Sequence, residues 1–392
     1  MSLGIYIQVP FCQTKCTYCN FHTGPAARSM YAPYARAVER EIRERAGQYF
    51  GAGQKGASPA DLGHVDTIYL GGGTPSLLDP SDLAAILDAV REHFPGTAPA
   101  IIDEVTLEAD PETISAEKAE AWRAAGINRI SMGAQSFHDS ELVPAGRMHR
   151  RADIFRAVNL LRAAGFANVS LDLIAGLPHQ TATSWSDSLA ELLRIRPEHI
   201  SIYLLEIDEG SRLGRESLAG GLRYGAAAIP DDDAMATSYE QACAELAAAG
   251  YEHYEISNWA LPGFGSRHNL KYWRREPYFG FGAGAHSFDG RWRWANAHDP
   301  AAYVTAIEKG QLPTEQREEV TREQALEEEM FLGLRQLEGI DLARIENDYH
   351  ANLSPRIDEL LAQGLIERHG ARVRLAPSKL TISNEVFVAL LD

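Results

Sequence analysis

The chain carries three of its four cysteines in residues 12–19, Cys-Gln-Thr-Lys-Cys-Thr-Tyr-Cys, at the spacing C-x₃-C-x₂-C. Disulfides do not suit this stretch, because three thiols cannot all pair and the loops between them are very short. A zinc site would need a fourth ligand, such as a distant histidine. On a [4Fe–4S] cube, three thiolates leave one iron without a protein ligand and open to a small molecule. The spacing therefore predicts a [4Fe–4S] cluster held by Cys12, Cys16 and Cys19.

Strand and helix patterns alternate around this loop and through the first half of the chain. Residues 4–9 alternate and are rich in β-branched side chains, which predicts a strand ending at Pro10, directly before the cysteines. Further strands, each followed by a helical pattern, are predicted at residues 65–70, 104–109, 129–134, 169–175 and 199–205. Such alternation requires parallel strands joined by helical crossovers. The sequence therefore predicts an α/β fold, a partial barrel of six strand–helix units in residues 1–210.

The alternation ends after Gly250. Residues 211–312 are predicted to form an accessory region, and residues 51–63 a Gly/Ala/Ser-rich loop within the barrel. From about residue 313 the composition turns acidic and is predicted to be helical, with a hairpin turning at Gly370 and a last helix over 384–391. We expect residues 313–392 to form a small helical, winged-helix-like domain.

Composition limits the classes of partner. The 392 residues carry a formal net charge of −17, which argues against binding to the phosphate backbone of a nucleic acid. No apolar run approaches the ~20 residues of a membrane span, and the first residues lack the basic and apolar pattern of a secretion signal. Free thiols without such a signal are typical of a reducing compartment, so the sequence predicts a cytoplasmic protein. It predicts no oligomeric state.

Polar or glycine residues follow each predicted strand. The cysteine loop follows the first strand and Gly71–Gly73 the second. Later strands have polar residues near their ends: Glu108, Gln135, Asp172, and, for the sixth strand, Tyr203 and Glu206. Active sites of α/β folds form at the carboxyl ends of parallel strands, so we expect these residues to share one site. Glycines there let the backbone approach a ligand closely.

The cysteine spacing together with the three glycines resembles the radical S-adenosylmethionine (SAM) superfamily. The resemblance implies a [4Fe–4S] cluster whose open iron is chelated by the amino and carboxylate groups of SAM, and an electron donor as a partner. In that superfamily an electron from the cluster cleaves SAM and releases a 5′-deoxyadenosyl radical. The resemblance implies that SAM is bound by residues of the barrel rim and its surroundings: Tyr6, Tyr18, Gly72, Gly73, Thr74, Glu108, Gln135, Arg147 and Asp172.

Two of these residues have a more specific expected role. Glu108 is the candidate for the ribose hydroxyls or the methionyl ammonium of SAM. Arg147 is expected to hold a carboxylate through a bidentate pair, which the planar guanidinium favours.

A closer resemblance extends over nearly the whole chain. Tyr6, Tyr-Leu-Gly-Gly-Gly-Thr-Pro at 69–75, Gly-Ala-Gln-Ser-Phe at 133–137 and Asp-Leu-Ile-Ala-Gly-Leu-Pro at 172–178 resemble the oxygen-independent coproporphyrinogen III dehydrogenase (HemN-like) branch. That enzyme oxidatively decarboxylates two propionates in haem synthesis. It carries a fourth cysteine where this chain has Phe21, and a longer N-terminal arm than the residues before the cysteines provide. These departures lead us to expect that the dehydrogenase activity is absent.

The sequence is more similar to the haem-chaperone branch of that family, HemW. The signature His-Asn-x-x-Tyr-Trp of this branch is present at residues 268–273, and the segments 282–288 and 382–387 are also similar. The resemblance implies binding of haem, of SAM and of the cluster, with delivery of haem to an acceptor protein. It assigns no catalytic residue and leaves open whether SAM is cleaved or only bound. The alternative is coproporphyrinogen dehydrogenation, or another radical SAM reaction on a tetrapyrrole.

Three residues of the signature are candidates for haem binding. Imidazole is a common axial ligand of haem iron, and His268 is predicted to lie in a loop where it is free to point at a metal. Tyr272 and Trp273 can lie against a porphyrin face. In the alternative interpretation, His268 is hydrogen bonded within the fold and the aromatic residues fill the core. His286 is a rival ligand.

Overall fold

The computed structural model of the protein describes residues 2–50, 63–94 and 102–391. The predicted Gly/Ala/Ser-rich loop over residues 51–63 therefore lies almost entirely outside the described residues.

Six parallel strands form the centre of one large sheet, and each pairs with the next strand of the chain. They are β1 (Ser2–Val9), β2 (His64–Gly72), β3 (Glu104–Ala109), β4 (Arg129–Gln135), β5 (Val169–Ala175) and β6 (His199–Leu204). The strands are buried along most of their length, as expected for parallel strands covered by helices. The predicted series of strand–helix units is confirmed.

Helices follow these strands and return the chain to the start of the next one. They are α1 (Tyr31–Phe50), α2 (Pro80–His93), α3 (Ala116–Ala124), α4 (Asp139–Leu142), α5 (Arg151–Ala163), α6 (Ala182–Ile195), α7 (Arg212–Leu218) and α8 (Asp232–Ala248). Side-chain caps fix where several of them begin. Asp79 caps α2, Ser115 caps α3 and Thr181 caps α6, each by accepting a hydrogen bond from a backbone amide of the first turn.

Shorter strands extend the sheet on both sides. They are β7 (Glu252–Glu255), β8 (Asn258–Ala260), β9 (Tyr278–Phe281), β10 (His286–Phe288), β11 (Trp292–Asn296) and β12 (Thr314–Glu319). The order across the sheet is β12-β11-β10-β9-β1-β2-β3-β4-β5-β6-β8-β7. Strand β9 runs parallel to β1, so its carboxyl end lies at the same edge as the cysteine loop. Helices α9 (Arg267–Trp273) and α10 (Pro300–Glu308) lie between these strands in the chain.

One local prediction is wrong at the start of the C-terminal region. Residues 314–319 were expected to be helical, but they form β12 and pair antiparallel with β11. The strand lies at the edge of the sheet and is almost entirely exposed. Charged residues are typical of such edges because they discourage pairing with another chain, and this charge gave the helical prediction.

The remaining C-terminal residues are mainly helical. They comprise α11 (Arg322–Arg335), α12 (Leu342–Tyr349), α13 (Ser354–Ala362), the hairpin strands β13 (Ile366–His369) and β14 (Arg372–Leu375), and α14 (Ser383–Leu391). Arg335 binds the fully buried Glu255 at 2.7 Å and so ties α11 to β7. The domain limits at residues 210 and 312 and the winged-helix likeness stay predictions. None of the described helices combines the length and the apolar character that a membrane crossing requires.

Candidate functional site

A cavity of about 450 Å³ lies at the carboxyl ends of the parallel strands. It brings together the three cysteines and most of the residues predicted to bind SAM. The predicted residues that line it are Cys12, Cys16, Cys19, Tyr18, Gly72, Gly73, Thr74, Glu108, Gln135, Arg147 and Asp172. Residues more than 150 positions apart in the sequence therefore converge, because every parallel strand delivers its carboxyl end to one edge.

The cysteine loop is anchored by Thr17, which is buried between the loop at Pro144 and Ala145 and the start of α7. Its amide donates to the carbonyl of Ala145 at 3.0 Å, and its hydroxyl donates to the carbonyl of Pro144 at 3.0 Å. Its own carbonyl accepts from the amide of Leu213 at 2.7 Å. These contacts hold the loop while the cysteines line the cavity.

The three thiols are close enough to influence one another electrostatically. The pKa of the Cys12 thiol is raised to about 11, mainly by burial and to a smaller extent by the charges of Asp110, Cys19 and Cys16, while a hydrogen bond with Thr23 acts to lower it. A guanidinium nitrogen of Arg147 lies 3.4 Å from the sulfur of Cys16. The positive guanidinium thus lies beside one of the three sulfurs predicted to hold the cluster.

Arg147 contacts a carboxylate of the protein itself. It forms an ion pair with Asp110 and donates to the carbonyl of Gly133 at 2.8 Å. In the structure the carboxylate beside Arg147 is that of Asp110, while the predicted bidentate pair and a role of Arg147 in SAM binding stay predictions. Asp110 was not among the predicted site residues, although its position two residues after Glu108, beyond the end of β3, placed it on the same rim.

Glu108 faces the cavity beside a second carboxylate. Its oxygens accept hydrogen bonds from the hydroxyl of Tyr69 at 2.8 Å and from the amide of Gly72 at 2.9 Å. Burial, with a contribution from the charge of Asp172, raises the pKa of Glu108 to about 7. The pKa of Asp172 is raised to about 6, again mainly by burial, and its Oδ1 is buried without a hydrogen-bond partner. Two carboxylates with unused acceptor capacity suit a cationic ligand.

The turn formed by Gly71–Gly73 at the end of β2 packs against the backbone at the start of the cysteine loop. Gly72 has φ of +110°, and a side chain at Gly73 would place its Cβ 2.5 Å from the carbonyl oxygen of Phe11. The amide of Gly73 donates to Val9 at 2.8 Å, and the amide of Thr74 donates to Phe11 at 2.7 Å. The glycines are thus required for close packing against the backbone that leads into the cysteines, in addition to lining the cavity.

Tyr6, His268, Tyr272 and Trp273 do not line this cavity. The hydroxyl of Tyr6 donates to the side chain of Gln8 at 2.6 Å, and its ring stacks on that of Tyr69. Trp273 packs near the ring of Tyr254, and Tyr272 packs edge-on against Tyr278. The His-Asn-x-x-Tyr-Trp signature therefore lies outside the lining of the cavity, with the ring of His268 stacked on that of Tyr69, whose hydroxyl bonds to Glu108.

The prediction that His268 lies in a loop is wrong. His268 lies in α9, is fully buried, and has both ring nitrogens in hydrogen bonds of 2.9 Å, to Thr67 and to Tyr272. Burial lowers the pKa of its imidazole to about 3, so the ring is neutral. To bind an iron, this side chain would have to give up one of its two hydrogen bonds within the core.

Comparison with known proteins agrees with the motifs. Residues 6–192 match the family model of the radical SAM superfamily, and residues 320–378 match that of the HemN C-terminal domain. The heme chaperone HemW of Bacillus subtilis is 35% identical, with 98% of each chain covered. The Mycobacterium tuberculosis HemW is 36% identical, covering 99% of this chain and 94% of the relative. The Escherichia coli HemW is 33% identical, covering 93% and 91%.

A solved structure shares the fold over nearly the whole chain. Coproporphyrinogen III oxidase (HemN) from Escherichia coli, described as a radical SAM enzyme, superimposes with a TM-score of 0.81. The match covers 99% of this chain and 90% of that chain at 21% sequence identity. At this identity the likeness establishes a common fold and does not assign an activity.

Proposed function

The chain belongs to the HemW family within the radical SAM superfamily, and we propose on this basis that it binds haem and delivers it to an acceptor protein. The observation that carries the proposal is the match to proteins named heme chaperone HemW along nearly the full length of the chain. Phe21 supports it, since this side chain lies at the cavity and is 66% exposed. An exposed apolar ring offers packing to a flat apolar ligand.

The residues at the cavity fit a [4Fe–4S] cluster and SAM. Three thiols line it with an arginine beside one of them, and Asp172, which also lines it, has a buried oxygen without a hydrogen-bond partner. We assign the cluster to Cys12, Cys16 and Cys19, and the positively charged groups of SAM to Glu108 and Asp172. The bound cluster supplies one-electron chemistry at its open iron. The chain itself positions the thiols, neutralises charge through Arg147 and provides the carboxylates.

The free thiols and the proposed cluster also bear on the compartment and the partners of the protein. Free thiols remain available for cluster assembly in a reducing compartment, so we place the protein in the cytoplasm. Use of the cluster as a reductant requires a separate electron donor, and delivery requires a haem-accepting protein.

SAM affinity is expected to rise with pH through the titration of Glu108. Below its pKa of about 7 the Glu108 side chain is neutral and attracts a cation only weakly. Above that pKa the carboxylate attracts the positive charge of SAM. We expect the affinity to increase on the order of tenfold between about pH 6 and about pH 8, since one unit of pKa corresponds to a tenfold change in binding. Equilibrium titration of the cluster-loaded protein with SAM measures this.

Glu108→Gln is the matched control for this pH dependence. Free SAM itself titrates through its amino group, and that contribution is the same for both proteins. The variant should therefore show a weaker affinity and a flatter pH profile than the parent. Equal profiles would remove Glu108 as the group that binds the cation.

The proposed function predicts haem binding without conversion of coproporphyrinogen. Titration of the full chain with ferric haem should shift and sharpen the Soret band of haem until the protein is saturated, and an apo-haemoprotein added afterwards should take up the haem. Incubation with coproporphyrinogen, SAM and a reductant without oxygen should yield no protoporphyrinogen. Robust turnover together with absent haem transfer would instead favour the dehydrogenase alternative.

A further inference from the structure

Three histidines lie close together beside the cysteine loop, although they are distant in the sequence. The rings of His22 and His298 are 4.7 Å apart between centroids. His286 lies opposite Ala295 in the pairing of β10 with β11, three residues before His298. We call His22, His286 and His298 the rim histidines.

The fold explains why the rim histidines meet at the edge where the cluster loop lies. His22 follows Cys19 by three residues, and Phe21 between them lines the cavity. Strand β9 runs parallel to β1 and ends at the same edge of the sheet. The turn after β9 binds the segment after β11 through a hydrogen bond of 2.8 Å from Gly284 to Ala297. His298, the next residue, is thereby brought to His22.

The rim histidines have the properties of available ligands. All three are exposed, and within the described residues none of their imidazoles has a hydrogen-bond or ion-pair partner. Partial burial, with the charges of His298 and Arg293, lowers the pKa of His286, which favours the neutral form that donates a lone pair to a metal. His268 differs on each count, because it is buried and both of its nitrogens are engaged.

We propose that the rim histidines, rather than His268, supply the axial ligand of the haem iron, with His298 as the ligand. This inference rests on the proposed function. His298 is central because it contacts His22 directly and lies near His286. The exposed ring of Phe21 next to His22 offers an apolar surface for the porphyrin. A chain distance of three residues between His22 and Cys19 spans at most ~11 Å, so haem would lie beside the cluster loop.

Haem titration of four cluster-loaded variants of the full chain tests the proposal. His298→Ala is expected to weaken haem binding at least tenfold and to shift the Soret band. Replacement of all three rim histidines by alanine is expected to abolish the band of ligated haem. Imidazole added to His298→Ala should restore the parental band. His369→Ala, at an exposed position on the C-terminal hairpin, is the matched control and should bind haem as the parent does.

His268→Ala separates the two candidate ligands. It should keep the parental Soret band in the folded protein, while its unfolding midpoint falls because Thr67 and Tyr272 lose their partner. Cluster absorbance reports that each variant is folded. A triple rim variant that binds haem with parental affinity and spectrum would overturn the proposal and leave the proposed function intact. A parent chain that binds no haem would overturn the proposed function itself.

Discussion

Replacing Cys16 by alanine is expected to reduce bound iron from about four atoms per chain to nearly none, as a cubane site requires its full set of thiolates. Cys16 lies between the other two cysteines, and its sulfur is the one that contacts Arg147, at 3.4 Å. The two thiols that remain cannot hold the cube at three corners. The measurement is iron and sulfide analysis after reconstitution without oxygen.

Cys243→Ala provides the matched control for the cluster. This fourth cysteine lies in α8, lines a different groove and is absent from the cavity of the other three. The control should retain about four iron atoms. Parental iron content in Cys16→Ala would mean that the cluster is held elsewhere.

Arg147→Leu is expected to lower the free energy of unfolding by about 3 kcal/mol, because it leaves Asp110 without its counter-ion in a partly buried site. The arginine side chain is only 9% exposed and also binds the carbonyl of Gly133 and the sulfur of Cys16. The same substitution should weaken cluster retention. Chemical denaturation of the metal-free protein gives the stability, and iron analysis after reconstitution gives the retention.

The control for Arg147 is an arginine whose ion pair is exposed. Arg40 pairs with Glu44 one turn away on α1 at 2.8 Å, and the side chain is 44% exposed. Arg40→Leu should cost only ~0.5 kcal/mol, since water screens such pairs. The loss of unfolding free energy in Arg147→Lys should lie between those of the two leucine variants. Lysine keeps the positive charge but lacks the planar guanidinium that reaches several acceptors. Equal effects of Arg147→Leu and Arg40→Leu would contradict the role given to the buried network.

The local sequence determined the parts of this protein that depend on spacing and periodicity. Three thiols within eight residues predicted the cysteine loop, and alternation of strand and helix patterns predicted the parallel sheet. Because parallel strands deliver their carboxyl ends to one edge, the same pattern also placed Glu108 and Asp172 at one cavity. The run Gly71–Gly73 was identified as part of the site from the sequence, but its close packing against Phe11 was not predicted.

Tertiary structure alone decided which side chains become partners. Arg147, in the segment after β4, pairs with Asp110, in the segment after β3. His268 in α9 bonds to Thr67 in β2, 201 residues earlier. His22 and His298 likewise meet because β9 lies parallel to β1 and because the turn after β9 bonds to the segment after β11. Periodicity reports whether a residue is helical, extended or apolar, but the partner of a polar group depends on how distant elements pack. For this reason His268 of the His-Asn-x-x-Tyr-Trp signature lies in the core, whereas His298, which no sequence motif singled out, is exposed beside the cysteine loop.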